Sequence, residues 1–293
     1  MTEYELDALL DKAQTQPFSG WDFSWLDGRM TVTSPPWDYR AIVERYARSS
    51  PDLLDIGTGG GEWLTEIGFR PPRTVATEGW PSNVPVARDR LMPLGIDVHD
   101  YRGGPDNVDQ PIRTQVPEGG TAGSLPFSDS SFHLISNRHE SYVAAEVRRI
   151  LTADGHFVTQ QVGVGFTDDF RRALDLAVSE DRHPGWNFDF ATRQLEAAGL
   201  QVVASGKGSE TQTYADAAGF AWYLRAVPWT IEGFSIPTYR EQLHRLQKRI
   251  DKGHLLTMRL PLFWLAATPV NEERITTATG LPAVRERVRQ DAG

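Results

Sequence analysis

The chain has 293 residues, with 30 basic side chains against 39 acidic ones, no cysteine and nine tryptophans; 40% of the residues are hydrophobic. This is globular composition, long enough for one large or two small domains with a real core. The missing cysteines exclude disulfides, thiolate metal sites and a cysteine nucleophile, and the net charge of −9 argues against a nucleic-acid partner held through its phosphates.

In chain order, MTEYELDALLDKAQ has the spacing of a short amphipathic helix over 3–13 and lacks the basic start and apolar run of a signal peptide. The longest apolar run, Leu260 to Ala267, contains Pro261 and is too short to span a bilayer. The expectation is a soluble, cytoplasmic protein without a membrane partner. GWDFSWLDGRM and SPPWDYRAIVERYARSS make residues 1–50 an aromatic-rich, helical lid, with Ser34 before Pro35 and Pro36 reading as a helix start.

Short apolar runs then alternate with helical stretches. LLDI (53–56), TVATE (74–78), residues 95–100, FHLIS (132–136) and HFVTQQV (156–162) read as strands. Residues 61–68, 82–92 and 141–151 read as helices between them. Beyond Gly163, helices are expected near 168–181, 189–198, 214–227 and 238–252, and strands near 200–205 and 258–268. The last helix carries Tyr239, Leu243, Leu246 and Ile250 on one face. The pattern predicts an α/β protein with a doubly wound, mostly parallel, seven-stranded sheet. Residues 51–270 form one domain, with a cofactor-binding core over 51–165 and cap helices inserted over about 166–198 and 214–253. Residues 271–293 form a polar tail.

The strongest signal is Asp55-Ile-Gly57-Thr-Gly59-Gly60-Gly61-Glu62, between a strand and a helix. Glycines let a ligand approach the backbone, and the helix start offers free amide donors. A dinucleotide fingerprint needs glycine where Glu62 stands, and a glutamate would repel a pyrophosphate. Asp55 suits a positively charged ligand, and Glu78, ending the next strand, suits a ribose diol. A nucleoside with a cationic amino-acid arm satisfies both.

These residues resemble the class I S-adenosylmethionine-dependent methyltransferases of the small-molecule, type 11-like kind. DIGTGGG matches that family's D/E-x-G-x-G-x-G loop, Glu78 its ribose acid, and LPFSDSSFHLIS (125–136) and RRILTADGHFVTQQVG its following segments. The resemblance covers roughly residues 50–165, and more weakly the C-terminal half. It implies S-adenosylmethionine as cofactor, with Asp55, Gly57, Gly59 and Gly61 at the methionine arm and Glu78 at the ribose. Thr121 and Ala122 stand where the family places an adenine-binding acid, and Gly79 where it has a large apolar residue. Trp80 is the candidate to stack on adenine in its place. Asn137 is placed at the cofactor or in shaping the turn.

The resemblance also directs the turn Ser136-Asn137-Arg138-His139-Glu140 toward the reactive methyl group. His139 is the candidate base if the acceptor must lose a proton. The histidines form no ligand-like cluster, so no metal is expected. SPPW (34–37) matches the motif of amino-group methyltransferases acting on nucleic acids, but it lies before the glycine loop and not after the fourth strand. The leading expectation is methyl transfer to a small molecule, by O- or N-methylation. RNA or DNA methylation, or cofactor binding without transfer, are the alternatives. Six tryptophans (Trp21, Trp25, Trp37, Trp186, Trp222 and Trp229) fall outside the motif-bearing segment, and some are expected to line an acceptor pocket. Sequence says nothing of oligomeric state.

Overall fold

The computed structural model describes residues 1–101, 124–178 and 185–270. The chain begins with α1 (Glu3–Thr15), closed by a capping box between Thr2 and Glu5. Strand β1 (Met30–Thr33) and helix α2 (Tyr39–Ala47) follow. The alternating region then gives β2 (Asp52–Ile56), α3 (Glu62–Glu66), β3 (Arg73–Glu78), α4 (Asn83–Leu91) and β4 (Asp97–Asp100). After it come β5 (Phe132–Arg138), α5 (Ala144–Ile150), β6 (Leu151–Val162), α6 (Asp168–Ala173) and α7 (Phe188–Ala197). The C-terminal part consists of β7 (Leu200–Tyr214), α8 (Ala217–Ala226), α9 (Ile236–Asp251) and β8 (Leu256–Pro269).

The strands form one sheet in the order β1-β7-β8-β6-β5-β2-β3-β4. Strands β2 to β6 are parallel, and β8 runs antiparallel between β6 and β7. The sheet therefore has eight strands where sequence predicts seven. The additional strand is β1, which pairs antiparallel with β7 from Met30↔Tyr214 to Thr33↔Thr211. It is a four-residue edge strand with mostly exposed side chains, so it lacks the alternation that marks a strand in sequence. Ser34 is not a helix cap. Pro35 and Pro36 cannot extend the ladder, and α2 starts at Tyr39, with the Asp38 carboxylate accepting the Ala41 amide at 3.2 Å.

Side-chain alternation builds the two faces. Leu54, Ile56, Ile135 and Phe157 pack with α5 and α7, while Leu53, Leu134 and Val158 pack with α2, α3 and α4. Helix α7 buries Ala191 and Leu195 in the first of these layers. It is thus a sheet-covering helix and not part of the cap. Helix α6 is shorter than sequence predicts, ending at Ala173, before Asp175 turns the chain with a φ of 57°.

Strand β7 is fifteen residues long where sequence suggests about six. Its interior glycines explain the short reading, since they mimic a turn but make room for rings. Gly206 faces the Trp264 indole, and a Cβ at Gly208 would lie 2.8 Å from both Pro36 and Trp37. Strands β7 and β8 continue beyond Val162, the last residue of β6 paired with β8. This extension carries Tyr214, Met258 and Leu260 into a second core with Leu6 and Leu10 of α1, Phe220 and Trp222 of α8, and Leu243 and Leu246 of α9. The cap therefore rises from the edge where the parallel strands finish. Ligands of open α/β sheets bind at that edge, where the strand order reverses between β2 and β5.

Candidate active site

The glycine loop leaves β2 at that reversal. Gly57 and Gly59 have φ values of 75° and 65°, a region that penalises any side chain. Space is restricted as well. A Cβ at Gly57 would strike the Glu140 side chain, and one at Gly59 would strike the Trp21 indole. Gly61 begins α3, with Leu91 packed 2.8 Å from its Cβ position. Glu62 turns back to an ion pair with Arg90, whose Nη1 also donates to the Gly60 carbonyl at 2.7 Å.

Two buried acids flank the loop. Asp55 is 3% exposed and accepts from the Ser136 hydroxyl at 2.7 Å. Burial pushes its carboxyl up to about 6, against the hydrogen bond from Ser136. Glu78 is likewise 3% exposed, and one oxygen accepts the Gly59 amide at 2.6 Å. Its other oxygen accepts the amides of Gly79 and Trp80 at 3.0 and 2.7 Å. Burial pushes Glu78 up to about 7, the Trp80 amide opposes this, and the Glu140 charge adds to it. Glu140 itself, packed on Gly57, is raised by burial against hydrogen bonds from Ser141. Burial thus holds all three carboxyls toward the neutral form despite the hydrogen bonds they accept.

Asn137 is fully buried and braces the sheet. Its Nδ2 donates to the Ile56 carbonyl at 3.2 Å, while Oδ1 accepts from Thr159 and Gln161 at 2.8 and 2.6 Å. The Tyr39 hydroxyl lies 2.9 Å from its carbonyl. These bonds occupy the side chain, so it shapes the turn from beneath.

His139 follows at the rim, with a φ of 59° that is uncommon outside glycine. Its amide donates to the Gln160 carbonyl at 2.8 Å, and its ring Nε2 lies 3.0 Å from Gln160 Nε2. Gln160 Oε1 in turn accepts the Trp37 indole N–H at 2.7 Å. The enclosure of the ring by protein, and then the neighbouring Arg138 charge, lower its pKa, although part of the residue stays exposed.

Aromatic rings cover the loop. Trp21 contacts Gly59 and meets Trp229 edge-on at 5.9 Å, and Trp229 meets Trp80 at 6.2 Å. Trp80, two residues past Glu78, is 55% exposed and open to stacking. Phe18 and Phe23 join this group to Trp222, and Trp25 lies 5.4 Å from Trp222. Of the six tryptophans outside the motif-bearing segment, Trp21, Trp37 and Trp229 reach the strand ends. Trp186 instead packs under the sheet with Tyr142 and Phe263. Thr121 and Ala122 lie outside the described residues.

Glu140 lies in the turn that sequence directs to the site, whereas Gln160 escaped sequence reasoning as a site residue. The two glutamines within the apolar run of β6 were the available signal, because buried amides in a central strand require partners. Among the described residues no group of three or more His, Asp or Glu is arranged to hold a metal ion. Nor is any described helix long and apolar enough to cross a membrane.

No protein-family model and no curated protein matches the chain. Solved structures do. A Bacillus halodurans C-125 protein named provisionally as a methyltransferase superposes with a TM-score of 0.52 at 16% identity, over 79% of this chain and 99% of its own. The YcgJ protein of Bacillus subtilis gives 0.51 at 16% identity, over 80% of this chain and 98% of its own. The chain shares its fold with these two structures. Within this fold the glycine loop, Asp55, Glu78 and the turn at 136–140 share one edge of the sheet.

Proposed function

We propose that the chain is an S-adenosylmethionine-dependent methyltransferase acting on a small molecule by O- or N-methylation. The observation that carries this reading is the pair of buried carboxyls, Asp55 and Glu78, on either side of an open glycine backbone at the reversal of strand order. Burial raises both carboxyls toward the neutral form, and a ligand with cationic and hydroxyl groups would favour their ionised forms.

The residues present fit that cofactor. Gly57, Gly59 and Gly61 leave the backbone open to an amino-acid arm, Asp55 lies behind it, and Glu78 accepts ribose hydroxyls. Trp80 offers a face to adenine, and Thr121 and Ala122 are assigned to the same base from sequence alone. Trp21 and Glu140 pack on the glycines in this structure and move aside on binding. When bound, S-adenosylmethionine supplies an electrophilic methyl group on a sulfonium. The chain's part is alignment of the acceptor's lone pair and exclusion of water by the ring cluster of Phe18, Trp21, Phe23 and Trp229. The acidic net charge and apolar cap suit a small acceptor over a nucleic acid, and the cysteine-free chain suits the cytoplasm.

Isothermal titration with S-adenosylhomocysteine tests the cofactor, and labelled S-adenosylmethionine with fractionated metabolites tests transfer. Saturable binding with label transfer to a small-molecule fraction is expected. A folded protein that binds neither compound removes the assignment; binding without transfer to any fraction makes the chain a cofactor-binding protein.

A further inference from the structure

The chain from Trp37 through Gln160 to His139 has a direction that its chemistry imposes. An indole nitrogen is a hydrogen-bond donor only. The 2.7 Å contact from Trp37 Nε1 therefore requires an oxygen on the Gln160 side, which fixes the orientation of that amide. Its nitrogen must then face His139, where it stands 3.0 Å from Nε2. An amide nitrogen also only donates, so Nε2 must be the bare, accepting nitrogen of a neutral ring. The proton is thus on Nδ1. An imidazolium is disfavoured by the same geometry, because it would set two donors against each other.

We propose that Trp37 and Gln160 hold His139 as a neutral imidazole protonated on Nδ1, which serves the bound ligand as a hydrogen-bond donor and not as a base. Trp37 and Gln160 are positioning residues in this arrangement. Both are held firmly: Gln160 is 4% exposed, and the Trp37 ring packs beside Gly208 at 2.8 Å from its Cβ position. The backbone of His139 is fixed by its bond to the Gln160 carbonyl, and the ring is tied to the same residue through Nε2. Nδ1 meets no hydrogen-bond partner among the described residues, so its proton is available to a ligand bound beside this turn. The lowered pKa of the ring agrees with a group that stays neutral.

The SPPW segment gains a role by this route. Its proline pair ends β1 and delivers Trp37 to the β6 side of the site. The ligand atom implied is an oxygen with a lone pair, either the carboxylate of the cofactor's amino-acid arm or an oxygen of the methyl acceptor. This half of the proposal rests on the methyltransferase reading; the proton position does not.

Nitrogen-15 NMR of histidine-labelled protein, with His139 assigned through His139→Asn, reads the tautomer directly. Free neutral imidazole prefers the proton on Nε2, so a predominant Nδ1–H form at His139 is the expected mark of the lock. Trp37→Phe should release the Gln160 amide and give a mixture. Gln160→Glu keeps the bond from Trp37 but presents an oxygen to His139, and should move the proton to Nε2. A wild-type ring carrying its proton on Nε2, or a tautomer unchanged in Gln160→Glu, overturns the lock. Should Gln160→Glu fail to fold, Trp37→Phe decides, and an unchanged tautomer there counts against the proposal.

S-adenosylhomocysteine separates the two oxygen sources. If the cofactor carboxylate is the partner, the Nδ1 resonance shifts on titration and Gln160→Glu binds S-adenosylhomocysteine about tenfold more weakly. If the acceptor is the partner, affinity is retained and methyl transfer falls about tenfold. Retention of both overturns the donor role. Failure of the wild type to bind S-adenosylhomocysteine would remove the methyltransferase reading and the ligand half with it, leaving the lock to be judged by the spectra.

Discussion

The Gly59 amide donates to the Glu78 carboxylate at 2.6 Å, tying the loop after β2 to the end of β3. The acid that would hold a ribose therefore also holds the loop in the ligand-free form. Its carboxyl, raised to about 7 by burial, is partly protonated at neutral pH. Ribose hydroxyls favour the ionised form, so binding releases a proton. Affinity for S-adenosylhomocysteine should rise with pH and level off above about 7. Calorimetry in buffers of different ionisation enthalpy reads the released proton; a flat profile would mean that Glu78 does not receive the ligand. Glu78→Gln should bind at least tenfold more weakly, since its NH2 must face either the Gly59 amide or the Gly79 and Trp80 amides, donor against donor.

The same raised values set the sign of a stability change. Asp55 and Glu78 both have folded pKa values above those of the unfolded chain, so the folded state binds more protons. Their contribution is fully present below the unfolded values near 4 and is lost as pH rises through about 6 and 7. Denaturation by urea across pH 4–8 should show a component of declining stability in the ligand-free protein. Asp55→Asn and Glu78→Gln should each flatten it.

Gly59→Ala places a methyl group against Trp21 at a φ of 65°, which costs about 1–3 kcal/mol of stability from the backbone alone. Adding Trp21→Ala should recover the part due to the collision but not cofactor binding, because the methyl group still fills the cradle. Trp21→Ala alone should speed cofactor association in stopped-flow fluorescence. An unchanged rate would show that the indole clears the loop without limiting entry.

Asp216 caps α8 through the Gly219 amide at 2.7 Å and pairs with Arg29 at 2.9 Å, joining the cap to the segment before β1. Asp216→Ala should cost about 2 kcal/mol in urea denaturation, more than a cap alone, because the half-buried Arg29 loses its partner. Asp38→Ala, which removes a cap on a more exposed helix start, should cost about 1 kcal/mol.

The parallel centre was legible because its signals are local. LLDI and TVATE are apolar runs bounded by turn residues, and DIGTGGG joins a strand to a helix within one short window. The missed features depend on distant partners. MTVT becomes a strand only because β7 is there to pair with it, and β7 runs on through its glycines because β8 pairs with it throughout, with Trp264 and Trp37 filling the space at Gly206 and Gly208. At the site, sequence located the carboxylates, the loop and His139. It did not reveal that Gln160 meets His139 on one side and Trp37 on the other, since the first contact joins neighbouring strand ends 21 positions apart and the second residues 123 positions apart. Sequence expected some of six tryptophans at an acceptor pocket without saying which, and Trp186 shows how residue type alone fails to separate pocket lining from packing.

Strand β1 pairs with a partner about 180 residues further along the chain, and α1 packs on α8 and α9. During synthesis α1 and β1 thus have no native surface to settle on until almost the entire polypeptide has emerged. The parallel centre, with α2 on its face, can assemble earlier, so α1 and β1 should be the last to dock and the first to yield to protease when the C-terminal strands are disturbed.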